Sequence, residues 1–170
     1  MSEQPYRVTV VCHGNICRSP MAEFVLREAF EDAGLADRVR VDSAGTSTEE
    51  LGNPMHRRTR AALQRHGHRD LGWDAHRARQ FRRDWFDDVD LVLAADHRHA
   101  DRLERLARDA EEAGRIRMLR SFDPESVATG DLGMDDPWYG TDPDYDRTHD
   151  EIVAAVPGIV EHVRRELDGT

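Results

Sequence analysis

Two short stretches confine this chain more than any others. Leu91-Val92-Leu93-Ala94 is apolar without alternation, and Tyr6-Arg7-Val8-Thr9-Val10-Val11 is short and β-branched. Runs of that length and type are strands covered on both faces, as in a parallel sheet. Val39-Arg40-Val41, ending at Asp42-Ser43-Ala44-Gly45, and Ile116 to Leu119 read as two more strands. Segments of helical period stand between them. Ser19-Pro20 opens the first, with serine as cap and proline in the opening turn; Met21, Ala22, Val25, Leu26 and Ala29 form its apolar face, and Gly34 stops it. A second runs from Pro54 to near Gly67, and a third from His97 to Ala113 on Leu103, Leu106 and Ala110. A loop rich in Asp, Gly and Pro follows to about residue 147. The last helix carries Ile152, Val156, Ile159, Val160, Val163 and Leu167, with Pro157-Gly158 expected to interrupt and kink it. Strands alternate with helices throughout, so the expected architecture is α/β: one domain over residues 1–170, a four-stranded parallel sheet with helices on both faces.

The charge pattern narrows the function. The formal charge is −10, and all 24 basic residues are arginine. That balance argues against nonspecific nucleic-acid binding, which needs a basic stripe. The sum hides two blocks: Arg57 to Arg83 carries +7 and Ser121 to Glu151 carries −9. These are either two solvated faces or a field that a charged substrate feels. No apolar run suits a membrane span, and Met1-Ser2-Glu3-Gln4-Pro5-Tyr6 has neither a charged nor an apolar leader region, so a cytoplasmic location without a signal peptide is expected. The two cysteines, Cys12 and Cys17, stand five apart and make no disulfide scaffold.

Ligands of such sheets sit at the carboxyl ends of strands. The first strand runs into Cys12-His13-Gly14-Asn15-Ile16-Cys17-Arg18-Ser19-Pro20 and then a helix. Gly14 and Asn15 tolerate left-handed backbone, so the loop can curl its N–H groups inward over a helix N-terminus and hold an anion. The same groups favour a Cys12 thiolate, which calls for a lowered pKa. Arg18 offers a planar fork to two phosphate oxygens. Ser19 can donate to the thiolate and improve it as a leaving group. Taken alone, Cys-x5-Arg is a weak signal. Cys12, His13 and Cys17 could supply at most three zinc ligands, and either cysteine could be apolar filler. The position of the loop between strand and helix favours catalysis.

Val11 to Glu23, with Ser43-Ala44-Gly45-Thr46, His76-Arg77-Ala78-Arg79-Gln80 and Asp136-Pro137-Trp138-Tyr139-Gly140, resembles the signature of the low-molecular-weight protein tyrosine phosphatases over roughly residues 6 to 167. The resemblance implies a four-stranded parallel sheet, hydrolysis of phosphotyrosine and small aryl phosphates through a cysteinyl-phosphate, and no metal or organic cofactor. Cys12 becomes the nucleophile, Arg18 and the loop residues His13, Gly14, Asn15, Ile16, Cys17 and Ser19 the phosphate cradle, and Asp136 the general acid and base. Asp135, Asp131, Asp142 and Asp144 are its acidic neighbours in sequence, and such crowding is expected to raise the pKa of the most buried aspartate and give an acid-side optimum. Asn15, Ser19, Ser43 and His76 resemble a network that supports the loop. His76 could otherwise be a surface histidine. Trp138 and Tyr139 would grip a phenyl ring.

One departure concerns selectivity. Glu49 stands where the family usually has tryptophan, in Thr46-Ser47-Thr48-Glu49-Glu50-Leu51-Gly52, leaving Leu51 as the sizeable apolar group of that wall. Weaker stacking and disfavour of acidic phosphopeptides follow as expectations. Expected partners are phosphotyrosine proteins and a tyrosine kinase acting on Tyr139; the chain itself is expected to be monomeric. Cys17 lies close enough to trap an oxidised Cys12 as a disulfide. Among competing readings, a thioredoxin-linked arsenate reductase needs further cysteines. An arginine phosphatase typically has threonine where Ile16 stands, and its acid loop is less aromatic. A binding module without turnover would have lost Cys12 or Asp136.

Overall fold

The computed structural model describes residues 4–169, so residues 1–3, which the leader-free reading of the N-terminus includes, lie outside it. Four parallel strands form one sheet in the order β2-β1-β3-β4: β1 is Tyr6–Cys12, β2 Val39–Gly45, β3 Leu91–Ala94 and β4 Ile116–Met118. The helices are α1 (Arg18–Asp32), α2 (Arg57–Arg65), α3 (His97–Leu106), α4 (Ala110–Gly114), α5 (Pro124–Thr129) and α6 (Asp142–Asp168). The strand β1 sits centrally, paired in register from Tyr6–Val39 to Cys12–Gly45 on one side and from Val8–Leu91 to Val11–Ala94 on the other. The Cys12 end of β1 therefore opens where the chain departs for β2 on one side and β3 on the other, the position at which open sheets hold ligands.

Both faces of the sheet are covered. Val8, Val10 and Cys12 pack with Met21, Leu26 and Phe30 of α1 and Ile152, Ile159 and Val163 of α6. On the opposite face Val11, Val92 and Ala94 pack with Phe81, Phe86 and Leu103. The alternating direction of β side chains explains why adjacent Val10 and Val11 serve different cores. No helix among the described residues is long and apolar enough to cross a membrane.

Several sequence expectations change. Ser19 does not cap α1: Cys17 holds the cap position, no side chain bonds there, and Ser19 lies in the first turn. Gly34 does follow the helix in the left-handed region at φ 75°. Pro54 precedes α2 rather than starting it; His56 caps that helix by accepting from the Arg58 N–H at 3.1 Å. The expected helix 97–113 is two helices, because Ala107 is extended and Asp109 caps α4 by accepting from the Glu112 N–H. The fourth strand ends at Met118, and the acidic loop contains α5 and the start of α6.

Pro157 and Gly158 do not interrupt α6, which is unbroken over 27 residues. Gly158 has a specific reason to be glycine. A Cβ there would collide with the carbonyl of Phe122, in the 3-10 turn Leu119–Phe122 that packs across the helix.

The two charge blocks meet along one seam. Arg58 of α2 reaches Asp142 of α6 at 2.9 Å, and Arg65 and His66 reach Asp146 at 2.6 and 2.9 Å. Part of the apparent field is thus an internal seam between helices.

Candidate active site

The loop from Cys12 to Arg18 is turned by one strained residue. Asn15 sits at φ 62°, the only non-glycine at positive φ among the described residues, in a region that costs energy unless its surroundings hold it. They do. Its side-chain N–H groups donate to Ser19 Oγ at 2.8 Å and Ser43 Oγ at 2.9 Å. Its Oδ1 accepts from the Arg79 N–H at 3.1 Å, and its carbonyl accepts from His76 Nε2 at 2.8 Å. Ser43 donates its own hydroxyl hydrogen bond to Glu23 at 2.5 Å, and Glu23 is paired with Arg27 at 2.6 Å. His76 is buried, and that burial pushes its pKa down, so it serves as a neutral donor. The surface reading of His76 is thereby excluded.

Most carbonyls of the loop find partners outside it. Cys12 and His13 accept from the Thr46 N–H, Ile16 from the His56 N–H, and Cys17 from the Met21 N–H. In a trans peptide the C=O and the next N–H point opposite ways. Carbonyls committed outward therefore leave an N–H edge facing the centre of the loop. Gly45, at the end of β2, allows the close approach: a Cβ there would stand 2.6 Å from the His13 carbonyl and 3.3 Å from the Asn15 nitrogen.

Cys12 closes β1 with its sulfur 3.0 Å from Ser19 Oγ. Since Asn15 already donates to that oxygen, the Ser19 proton is free for Cys12 Sγ or for the Ala44 carbonyl at 3.4 Å. The buried Arg18 guanidinium is anchored by Nη1 on the Met134 carbonyl at 2.9 Å, while Nη2 lies 3.6 Å from Asp136. Its Nε is buried with no partner, an unmet donor that an oxyanion would satisfy. Beneath it, burial and the Arg18 charge hold His99 down at about 4, which keeps it neutral.

Asp136 arrives on the loop between α5 and α6. One carboxylate oxygen accepts from the Trp138 N–H at 3.1 Å, and the other faces Arg18. Its acidic neighbours are drawn elsewhere: Asp131 to Arg120, Asp135 to Arg147, Asp142 to Arg58, while Asp144 caps α6. Each of these neighbours therefore has a partner of its own that offsets its charge beside Asp136.

Cys12, His13, Gly14, Ile16, Cys17, Arg18, Asp136, Trp138 and Tyr139 line one cleft of about 360 Å³ together with Glu49 and Glu50. Asn15, Ser19, Ser43 and His76 lie beneath the loop rather than in the cleft. Leu51, expected on the opposing wall, does not line it. Glu49 instead pairs with His13 at 3.1 Å. Trp138 rests edge-on against His56, which stacks on the buried Tyr145. The Tyr145 hydroxyl stands 3.5 Å from Cys17 Sγ, and burial raises that thiol to about 12. Sequence reasoning missed Glu23, Arg27, Met134, His56 and Tyr145. Glu23 alone left a trace, as an acid between the apolar residues Ala22 and Phe24.

Known proteins align with nearly all of this chain. The family model described as low molecular weight phosphotyrosine protein phosphatase matches residues 7–168. The low molecular weight protein-tyrosine-phosphatase of Streptomyces coelicolor is 46% identical over 164 residues, covering 96% of this chain and 97% of that one. The low molecular weight protein-tyrosine phosphatase A of Mycobacterium tuberculosis is 41% identical over 163 residues, covering 96% and 94%. Among solved structures, the protein tyrosine phosphatase of Entamoeba histolytica superposes with a TM-score of 0.85 at 24% identity, covering 95% of this chain and 98% of that one, a likeness of fold.

Proposed function

Because the chain belongs to the low molecular weight phosphotyrosine protein phosphatase family, and is therefore a protein-tyrosine phosphatase, we propose that it hydrolyses phosphotyrosine in two steps through Cys12. The thiolate of Cys12 attacks phosphorus in line; the S–P bond forms as the bond to the phenolic oxygen breaks, and Asp136 gives that oxygen its proton. Arg18 and the loop N–H groups hold the three equatorial oxygens as charge redistributes. Water then attacks the phosphocysteine, Asp136 takes a proton back, and inorganic phosphate leaves as Cys12 regains its electron pair. Ser19 donates to the departing thiolate.

The observation that carries this reading is the unmet Nε of the buried Arg18 guanidinium, which shares one cleft with Cys12 and Asp136. Trp138 and Tyr139, on the wall next to Asp136, suit an aryl ester over a phosphoguanidine. Glu49 and Glu50 give the facing wall negative charge, which supports a preference for basic over acidic flanks. Higher kcat/KM for acidic-flanked phosphopeptides would refute that preference. Tyr139 is 95% exposed and accessible to a partner tyrosine kinase.

Steady-state hydrolysis of an aryl phosphate, a phosphotyrosine peptide and phosphoarginine tests the reading side by side. The first two are expected to turn over and the third to lag; Cys12→Ser abolishes all turnover. Activity surviving that change would overturn the mechanism. Cys17 is read as the trap for oxidised Cys12: peroxide-treated enzyme regains activity with dithiothreitol, and Cys17→Ser does not.

A further inference from the structure

Away from the cleft, three histidines converge where the end of α2 and the turn after it meet α6. His66 lies face to face with His149, ring centroids 3.8 Å apart and planes at 11°. One ligand atom from each of His66, His149 and Asp150 lies within 4.8 Å of the other two. We propose that these three residues bind a divalent first-row transition metal, with Zn²⁺ the reference ion, at a site that takes no part in phosphoryl transfer.

The hydrogen bonds around the cluster assign the free lone pairs. Glu28 of α1 accepts from His68 Nδ1, which in the neutral ring leaves His68 Nε2 as an acceptor. His68 Nε2 stands 2.7 Å from His149 Nε2, so the proton between them belongs to His149. The lone pair of His149 is then on Nδ1, 3.4 Å from Asp150 Oδ1. Two acceptors face each other there, and a cation between them satisfies both. Glu28 and His68 form behind His149 the carboxylate–histidine relay that orients metal-bound imidazoles.

The remaining groups fit the same assignment. Asp150 is exposed, and His149 is its only polar partner among the described residues. Asp146 is already engaged by Arg65 and His66, so it anchors the His66 ring rather than completing the donor set. Two imidazoles and one carboxylate, with water in the remaining positions, suit zinc, nickel or copper rather than magnesium or calcium. Binding requires the stack to open so that both nitrogens converge, and His66, exposed at the end of α2, is the ring that turns. The metal would pin α2 to α6 beside the arginine–aspartate seam.

The test is calorimetric titration of ZnCl₂ into the full chain carrying Cys12→Ser, which removes the proposed thiolate as a competing ligand. One equivalent is expected to bind with micromolar affinity. His66→Gln and His149→Gln are each expected to weaken it at least about 30-fold, and His68→Gln, acting through His149, roughly 10-fold. His162→Gln, on the same helix but outside the cluster, leaves affinity unchanged. Saturating Zn²⁺ raises the melting temperature by roughly 5 to 10 °C. His66 is at the surface, so its variant tests the site even if His149→Gln fails to fold. Absence of saturable binding, or affinity within threefold of the parent in His66→Gln, would overturn the proposal.

Discussion

Ser19 Oγ stands 3.0 Å from Cys12 Sγ while accepting a hydrogen bond from Asn15 at 2.8 Å, so its single proton is aimed at the sulfur or the Ala44 carbonyl. The same side chain thus joins the residue that shapes the loop to the proposed nucleophile.

Ser19→Ala should slow breakdown of the phosphocysteine more than its formation. Rapid-quench kinetics with an aryl phosphate is expected to show a burst followed by a steady state about 10-fold or more below wild type. Equal loss in both phases would assign Ser19 to loop support alone.

Asp136→Asn removes the proposed proton donor and should leave the loop intact. The kcat for phenyl phosphate is expected to fall by about 10²-fold or more, and far less for a nitrophenyl ester whose leaving group needs no proton. The wild-type rate should decline on the alkaline side along a limb that the variant lacks; superimposable pH profiles would remove Asp136 from the reaction.

Burial sets the pH dependence of stability at His99. Its folded value of about 4 lies below the ordinary histidine value of 6.5, so the unfolded chain binds the extra proton first as pH falls. Stability is full above about pH 6.5 and declines toward pH 4, by on the order of 2–3 kcal/mol from this residue. His76 and His149 shift in the same direction and add to the decline. Urea unfolding at pH 7 and pH 4.5 measures it, and His99→Asn should flatten the slope.

Gly158→Ala places a methyl group against the Phe122 carbonyl. A helix interior normally gains from this substitution. Here a loss of about 2 kcal/mol or more is expected in thermal or urea unfolding, because backbone must move. A stabilised variant would mean that the 3-10 turn yields freely.

The sheet was legible because its strands are short apolar runs, and the loop because strand, cysteine, arginine and helix start fall in one stretch. Where the reading erred, a local rule lost to packing. Pro157-Gly158 looked like an interruption, yet the turn at Phe122 demands that glycine within a continuous helix. Ser19 looked like a cap, but Asn15 and Cys12 claim its hydroxyl. The acidic block around Asp136 looked like mutual crowding until helices brought Arg58, Arg120 and Arg147 to meet it. Glu23, His56 and Tyr145 escaped notice because their roles depend on neighbours distant in the chain.

The bonds that fix Asn15 also limit what the loop can discriminate. A cradle already shaped by Ser19, Ser43, His76 and Arg79 has nothing left to rearrange when oxygens arrive. On the proposed mechanism it should hold the departing phosphate as readily as the incoming ester, with vanadate and sulfate as competitors. Choice among phosphoproteins is then expected at the cleft mouth, where the exposed Tyr139 shares the lining with Glu49 and Glu50.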